Sequence, residues 1–99
     1  MMYGYIGSMK TKPGRRDEVV SLLVNGSDDL RSAGCRLYVV SVSDTEADLI
    51  SVSEVWDSKE RHDASRQLPE AKAAMAQARS MLIGDVTRQE VTVAGGLGL

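Results

Sequence analysis

A carboxylate and the only Trp of the chain share one face of a predicted strand, directly before a predicted helix. Apolar and polar residues alternate over residues 49–56, and residues two apart in a strand lie on the same face. Glu54 therefore lies beside Trp56. Asp57, with a glutamate three residues later, is typical of a helix N-cap, so the chain is expected to turn sharply there. A proton acceptor and an aromatic wall at a strand end predict the edge of a pocket.

His62 is the only histidine, and it follows Trp56 by six residues in a polar, helical stretch. An imidazole that titrates near neutrality is a natural proton acceptor for an acidic phenol or α-carbon. The alternative is a solvent-exposed histidine bonded to Asp63 or Glu60. Both interpretations of His62 stay open from the residues alone.

Trp56 and Glu54 each have a structural alternative as well. Trp56 either lines a pocket and stacks on a ligand, or is the largest core residue of a chain that has no Phe. Glu54 is either a buried general base or a carboxylate at the rim that pairs with Arg or Lys, and the pairing is favoured.

Three further side chains are candidate ligand contacts. The phenols of Tyr5 and Tyr38 would donate hydrogen bonds to a quinone-like molecule, although Tyr on strands more often packs with its hydroxyl at the edge. Arg66 either closes the pocket or lies on the polar face of its helix. One His without a second ligand at a suitable spacing predicts no metal site. No phosphate-binding glycine loop opens a helix, so no cofactor is implied.

Composition excludes several classes of protein. The chain has 99 residues and a net charge of −2, which predicts one domain without attraction to nucleic acid or anionic membranes. No apolar run approaches the roughly 20 residues of a membrane helix. The first ten residues do not resemble a secretion signal, and a single cysteine, Cys35, fits a reducing compartment. A cytoplasmic protein is expected, with Cys35 as a buried small hydrophobe.

The elements are predicted in the order strand, helix, strand, strand, helix, strand. Strands are expected near residues 2–12, 35–43, 49–56 and 85–93. A first helix runs from about residue 15 towards 28–32, with a kink or early stop at Asn25-Gly26. A short helix over 57–67 precedes a longer one that starts at Pro69, buries a stripe of small residues and ends at Gly84.

This order predicts a ferredoxin-like βαββαβ α+β sandwich, an antiparallel sheet with its helices on one face. Residues 1–94 form the domain, and 95–99 form a flexible glycine-rich tail. The helices leave the other sheet face uncovered. Pairing with a second copy would bury it, so a homodimer is expected.

Three segments resemble the antibiotic biosynthesis monooxygenase (ABM) family. They are Lys12-Pro13-Gly14-Arg15 after the first strand, Gly34-Cys35 at the start of the second, and the run Ser53-Glu54-Val55-Trp56-Asp57-Ser58. His62-Asp63-Ala64-Ser65 after the Trp is similar to one branch of the family. The resemblance covers essentially the whole chain. It implies a dimeric α+β barrel with a small hydrophobic pocket between sheet and helices.

The resemblance does not imply one reaction, because family members include cofactor-independent oxygenases of anthrones and haem-degrading enzymes. The anthrone-oxidising branch has Asn four residues before its Trp, where this chain has Val52. The haem-degrading branch has Asn on the first strand and His about ten residues after the Trp, where this chain has Arg66. Three hypotheses follow: a cofactor-independent monooxygenase of a small aromatic or quinone-like molecule, with His62 as base; a binding protein without turnover; and a structural module.

Overall fold

The computed structural model describes residues 1–99 as four strands and three α-helices. The strands are β1 (Tyr3–Thr11), β2 (Cys35–Val42), β3 (Leu49–Trp56) and β4 (Leu82–Thr92). The helices are α1 (Arg16–Val24), α2 (Lys59–Ser65) and α3 (Pro69–Arg79), and a short 3-10 helix spans Ser27–Arg31. All neighbouring strands pair antiparallel in the order β2-β3-β1-β4. The predicted ferredoxin-like α+β fold is confirmed.

The sheet buries one face against the helices, and the alternation of side chains decides which residues lie on it. In β1, Tyr3, Tyr5 and Met9 are buried while Ile6 between them is exposed. The same alternation in β3 buries Ile50, Val52, Glu54 and Trp56 on the helix-covered face. The pattern predicted for β3 is therefore correct, and Glu54 and Trp56 lie side by side.

The buried residues form two clusters at opposite ends of this face. One end is aliphatic and sulfur-containing, with Met9, Val19, Ile50, Val52, Ala78 and Met81. The other end holds Tyr3, Tyr5, Cys35 and Trp56. Because the register of β1 against β3 pairs Tyr3 with Trp56 and Tyr5 with Glu54, the aromatic rings gather where β3 ends.

The first helix stops early, as the Asn25-Gly26 signal predicts. It ends at Val24, and Gly26 has a φ of 79°, a left-handed conformation that glycine adopts without steric penalty. The 3-10 helix that follows carries Leu30 back onto the aromatic cluster. This break leaves space above the sheet.

The start of α2 differs from the prediction by one residue. Ser58, not Asp57, is the N-cap, with extended backbone and an Oγ that accepts a hydrogen bond from the Arg61 amide at 3.2 Å. The Asp57 amide instead donates to the Gly34 carbonyl at 2.9 Å, and its carboxylate pairs with Arg36. The prediction was wrong because Asp57 still belongs to the edge where β3 meets β2.

The end of α3 was also predicted wrongly. The helix ends at Arg79, with Ser80 as its cap, and β4 begins at Leu82 instead of Asp85. The Lys12 amide donates to the Met81 carbonyl at 2.8 Å, and Met81 is buried, so pairing with β1 already begins here. Gly84 therefore lies inside β4, near the point where the pairing register shifts, and is not a helix cap.

The opposite face of the sheet has no helix over it and is apolar towards one end. One row across the strands is Leu37, Val55, Gly4 and Val91, and the next is Val39, Ser53, Ile6 and Gln89. Ile6, Leu37 and Val39 are each more than two-fifths exposed, at 48%, 41% and 43%. Residues 94–99 carry no strand or helix.

Gly34, at the turn into β2, should not tolerate a side chain. Its φ is 103°, and a Cβ there would collide with the Arg61 side chain of α2. We expect Gly34→Ala to lose about 1–2 kcal/mol from the left-handed backbone and more from displaced Arg61. The matched control is Gly14→Ala, where φ is 79° and no atom lies within 4 Å. Urea unfolding checks this, and equal losses in both variants would contradict it.

Candidate functional site

The single imidazole of the chain lies inside the aromatic end of the sheet. His62 is only 3% exposed, because α2 turns it inwards over the end of β1 and β3. Its ring centroid is 5.0 Å from that of Tyr3, 5.2 Å from that of Tyr5 and 5.6 Å from that of Trp56. These rings surround the imidazole and shield it from water.

The two ring nitrogens of His62 have different surroundings. Nδ1 lies 2.9 Å from Oδ1 of Asp63, within hydrogen-bond distance. Nε2 is buried and has no hydrogen-bond partner. The nearest carboxylate oxygen to it is Oε1 of Glu54, at 4.0 Å. Nδ1 is therefore paired with the exposed carboxylate of Asp63, and Nε2 lies 4.0 Å from the buried carboxylate of Glu54.

Glu54 is buried and oriented by its neighbour on the same strand. The indole Nε1 of Trp56 donates a hydrogen bond to Oε1 of Glu54 at 2.9 Å. No Arg or Lys pairs with this carboxylate, so the favoured expectation of a rim ion pair was wrong. Oε2 makes no hydrogen bond and is not among the buried unpartnered atoms, so it stays open to the space above the sheet.

Charged side chains at the surface form a network of ion pairs and hydrogen bonds beside His62 and Tyr3. Lys59 pairs with Asp63 at 3.2 Å and with Glu90 at 2.9 Å, and the Tyr3 hydroxyl donates to Glu90 at 3.0 Å. Hydrogen bonds from His62 and then Lys59 lower the pKa of Asp63, and those from Lys59 and Tyr3 lower that of Glu90. Burial, followed by the bond to Glu90, raises the pKa of Tyr3 to about 12.

A cleft of about 520 Å³ lies between the sheet and the helices, and Glu54 and Trp56 are in its wall. Tyr5 and Tyr38 line the cleft too, as does Arg66. Aliphatic residues of α1, α3 and β4 complete the wall, among them Leu22, Leu23, Ala71, Ala74, Met75 and Val86. The volume falls within the usual range for sites that hold small ligands.

Two polar groups in this wall are suited to an electron-rich ligand. The Arg66 guanidinium carbon lies 5.3 Å from the centroid of the Tyr5 ring, and Arg66 makes no ion pair. Burial and then the charge of Glu54 raise the pKa of Tyr38 to about 12. Tyr38 thus stays a hydrogen-bond donor at neutral pH, beside an unpaired cation.

The chain matches a known protein family and a solved structure over most of its length. The model for antibiotic biosynthesis monooxygenases matches residues 2–77. The chain belongs to the ABM family. A candidate antibiotic biosynthesis monooxygenase from Chloroflexus aurantiacus is 38% identical, with a TM-score of 0.87 over 97% of this chain and 96% of that one.

More distant structures share the ABM fold. A Mycobacterium tuberculosis protein has a TM-score of 0.84 at 20% identity, covering 98% of this chain and 99% of that one. A candidate antibiotic biosynthesis monooxygenase from Caulobacter crescentus has a TM-score of 0.85 at 20% identity, covering 95% and 91%. Comparison with curated proteins gives no match.

The ABM domain brings five of the six candidate residues to one cleft and places the sixth behind it. Tyr5, Tyr38, Glu54, Trp56 and Arg66 line the space, whereas His62 does not. The imidazole instead lies behind the wall, against Tyr5 and Trp56.

Sequence reasoning missed the surface cluster around His62 in this ABM domain. Lys59 and Asp63 are four residues apart on α2, a spacing at which opposite charges pair, so the sequence could have predicted this ion pair. No sequence pattern predicts the contact with Glu90 of β4, since this contact depends on how β4 pairs with β1.

The ABM domain offers no cluster of three or more His, Cys, Asp or Glu side chains that would hold a metal ion. None of its helices combines the length and apolar character needed to cross a membrane.

The surface carboxylates should make stability depend on acid. Glu90 and Asp63 have a lowered pKa in the fold, so their contribution is present above their ordinary values of 4.5 and 3.8 and is lost as pH falls through the folded values. We expect Glu90→Gln to lower the thermal midpoint at pH 7 and to flatten its decline below pH 4.5. Glu60→Gln, which removes an exposed carboxylate without an ion pair, is the control. Parallel pH profiles for the wild-type protein and Glu90→Gln would contradict this expectation.

Proposed function

We propose that this ABM domain is a cofactor-independent monooxygenase of a small aromatic or quinone-like molecule. The observation that supports this most strongly is a buried carboxylate, Glu54, whose free oxygen opens into an apolar cleft walled by Trp56. A base next to an aromatic wall suits a flat substrate with an acidic C–H bond.

In the proposed reaction the substrate supplies its own electrons. Removal of one proton from a ring CH₂ group that is conjugated with a ketone, as in an anthrone, gives an enolate. The enolate transfers electrons to dioxygen and forms a C–O bond as a peroxide. Loss of the second C–H proton with hydroxide then leaves a ketone. The overall change, R₂CH₂ + O₂ → R₂C=O + H₂O, balances without another reductant.

Each residue of the cleft has a role in this proposal. Glu54 accepts the proton because its Oε2 faces the ligand space, while Trp56, in the cleft wall, donates a hydrogen bond to Oε1. Arg66 and Tyr38 stabilise the negative oxygen of the enolate. They replace the amide that the anthrone-oxidising branch has at the position of Val52, which is apolar here.

The imidazole has a different place from the one expected of a base. His62 does not line the cleft, so it acts behind Glu54 and does not touch the substrate. Its role is therefore proposed to depend on Glu54.

Oxygen uptake with a panel of anthrones, hydroquinones and catechols tests the proposal, and only the anthrones carry the CH₂ group that the proposed reaction requires. We expect Glu54→Gln to reduce kcat by about 10²- to 10⁴-fold, the usual contribution of a general base, with ligand affinity nearly unchanged. Quenching of the fluorescence of the only Trp, Trp56, reports that affinity. The control is Glu70→Gln, since Glu70 is an exposed carboxylate in the same cleft wall. Full activity of Glu54→Gln would contradict the assignment.

A binding protein without turnover is the second candidate, and the apolar Val52 favours it. The cleft would then hold the ligand without activating it. Tight quenching of Trp56 fluorescence by compounds of the panel, with no oxygen uptake for any of them, would support this candidate over the first.

We also propose that the domain works as a homodimer through the uncovered sheet face. Ile6, Leu37 and Val39 place apolar side chains there that no helix covers. An interface on the order of 2,000 Å² or more in total is expected.

Light scattering at micromolar concentration should give twice the chain mass. Ile6→Lys should convert the dimer to a monomer that remains folded, because Ile6 is 48% exposed within one chain. Ala76→Lys on the exposed surface of α3 is the control and should stay dimeric. A monomeric wild-type protein would refute the interface.

A further inference from the structure

We propose that Glu54 and His62 together form a proton store, in which His62 Nε2 takes the substrate proton from Glu54 and later returns it. This inference rests on the proposed function, because the proton comes from the substrate in the cleft. His62 is then a positioning residue that acts through Glu54.

The unpartnered Nε2 atom is the first observation behind this proposal. A buried polar atom without a hydrogen bond destabilises a fold, so its presence calls for an explanation. Nε2 of His62 is the one buried side-chain nitrogen or oxygen in that state in the whole chain. Glu54 Oε1 lies 4.0 Å away, beyond hydrogen-bond distance, and rotation of a protonated Glu54 carboxyl group would bring a donor to Nε2.

The partner of Nδ1 is the second observation. Asp63 also pairs with Lys59, and both contacts lower its pKa, so it remains a carboxylate and an acceptor. Nδ1 must then carry the hydrogen, since a carboxylate accepts and does not donate. In the neutral form of the ring, Nε2 then has a bare lone pair.

The groups that face the ring come from every element packed against it. β1 contributes the rings of Tyr3 and Tyr5, and β3 contributes Glu54 and Trp56. The charged side chains of α2 are Lys59 and Asp63, and Glu90 of β4 reaches the site through Lys59 and Tyr3. A protonated ring would lie between the carboxylates of Asp63 and Glu54, with aromatic rings instead of water on its faces.

Over one turnover, Glu54 and His62 return to their starting protonation states. Glu54 Oε2 takes the C–H proton, and rotation of the carboxyl group delivers it to Nε2, which gives an imidazolium and restores the carboxylate. The peroxide formed with dioxygen takes this proton back through Glu54. Glu54 then removes the second C–H proton, which leaves with hydroxide as water. Nδ1 keeps its hydrogen throughout, so the ring returns to its starting tautomer.

Nitrogen-15 NMR of the only imidazole tests the store without any substrate. We expect the free wild-type protein at pH 7 to show a protonated Nδ1 and a bare Nε2. Asp63→Asn should raise the share of the Nε2–H tautomer, because an amide accepts less strongly than a carboxylate, whereas Glu60→Gln should leave the tautomer unchanged. An Nε2–H tautomer or a doubly protonated ring in the free wild-type protein would overturn the proposal.

Addition of 1,8-dihydroxyanthrone under nitrogen tests the loaded state. We expect the His62 ring to become doubly protonated in the wild-type protein and to stay neutral in Glu54→Gln. In air, His62→Gln should lower kcat for this anthrone by about tenfold or more with little change in KM. Thermal unfolding of each variant shows that the fold is kept.

These experiments distinguish a failure of the proton store from a failure of the proposed monooxygenase activity. Turnover of the anthrone by the wild-type protein, with a neutral ring under nitrogen and full kcat in His62→Gln, would overturn the store and leave the monooxygenase intact. If no compound of the panel is oxidised, the monooxygenase fails. The protonation state of the His62 ring with the anthrone under nitrogen, in the wild-type protein and in Glu54→Gln, then decides the store.

Discussion

β1 and β3 pair in a register that places Tyr3 beside Trp56 and Tyr5 beside Glu54, and the whole aromatic end of the sheet follows from that pairing. Side chains of directly opposed residues lie on the same face at close distance. A slip of one residue would turn Glu54 and Trp56 to the uncovered face. The imidazole of His62 then would have neither its aromatic walls nor a facing carboxylate.

The cleft exists because small residues cover the middle of the sheet. The α3 residues that face it include Ala71 and Ala74, and α1 stops at Val24 before it reaches the aromatic end. A Phe-free chain lacks the side chains that would fill this gap. Ile50 and Val19 are completely buried at the aliphatic end of the sheet. The cleft extends from Val52 at that end to Trp56 at the aromatic end.

The sequence predicts what depends on local patterns. Alternation along β3 places Glu54 and Trp56 on one face, and Gly26 marks the end of α1. The sequence does not predict features that depend on contacts between segments far apart in the chain. The burial of His62 requires Tyr3 and Tyr5 from the other end of the chain, and Gly84 resembles a helix cap until the pairing of Met81 with Lys12 is known. The choice of Ser58 over Asp57 as N-cap likewise depends on the contact with Gly34.

In the proposed mechanism the stabilising charge comes from a different element than the base. Glu54 lies on a central strand, and the indole two residues along donates a hydrogen bond to its Oε1. Arg66 follows α2 in the connection to α3, and stacks on Tyr5 without a carboxylate partner. A guanidinium keeps its charge at every relevant pH, so it replaces a neutral amide with a stronger stabiliser of an enolate. Because the proposed base lies on β3 and the cation lies in the connection between α2 and α3, a flat molecule in the cleft would contact both groups from different sides.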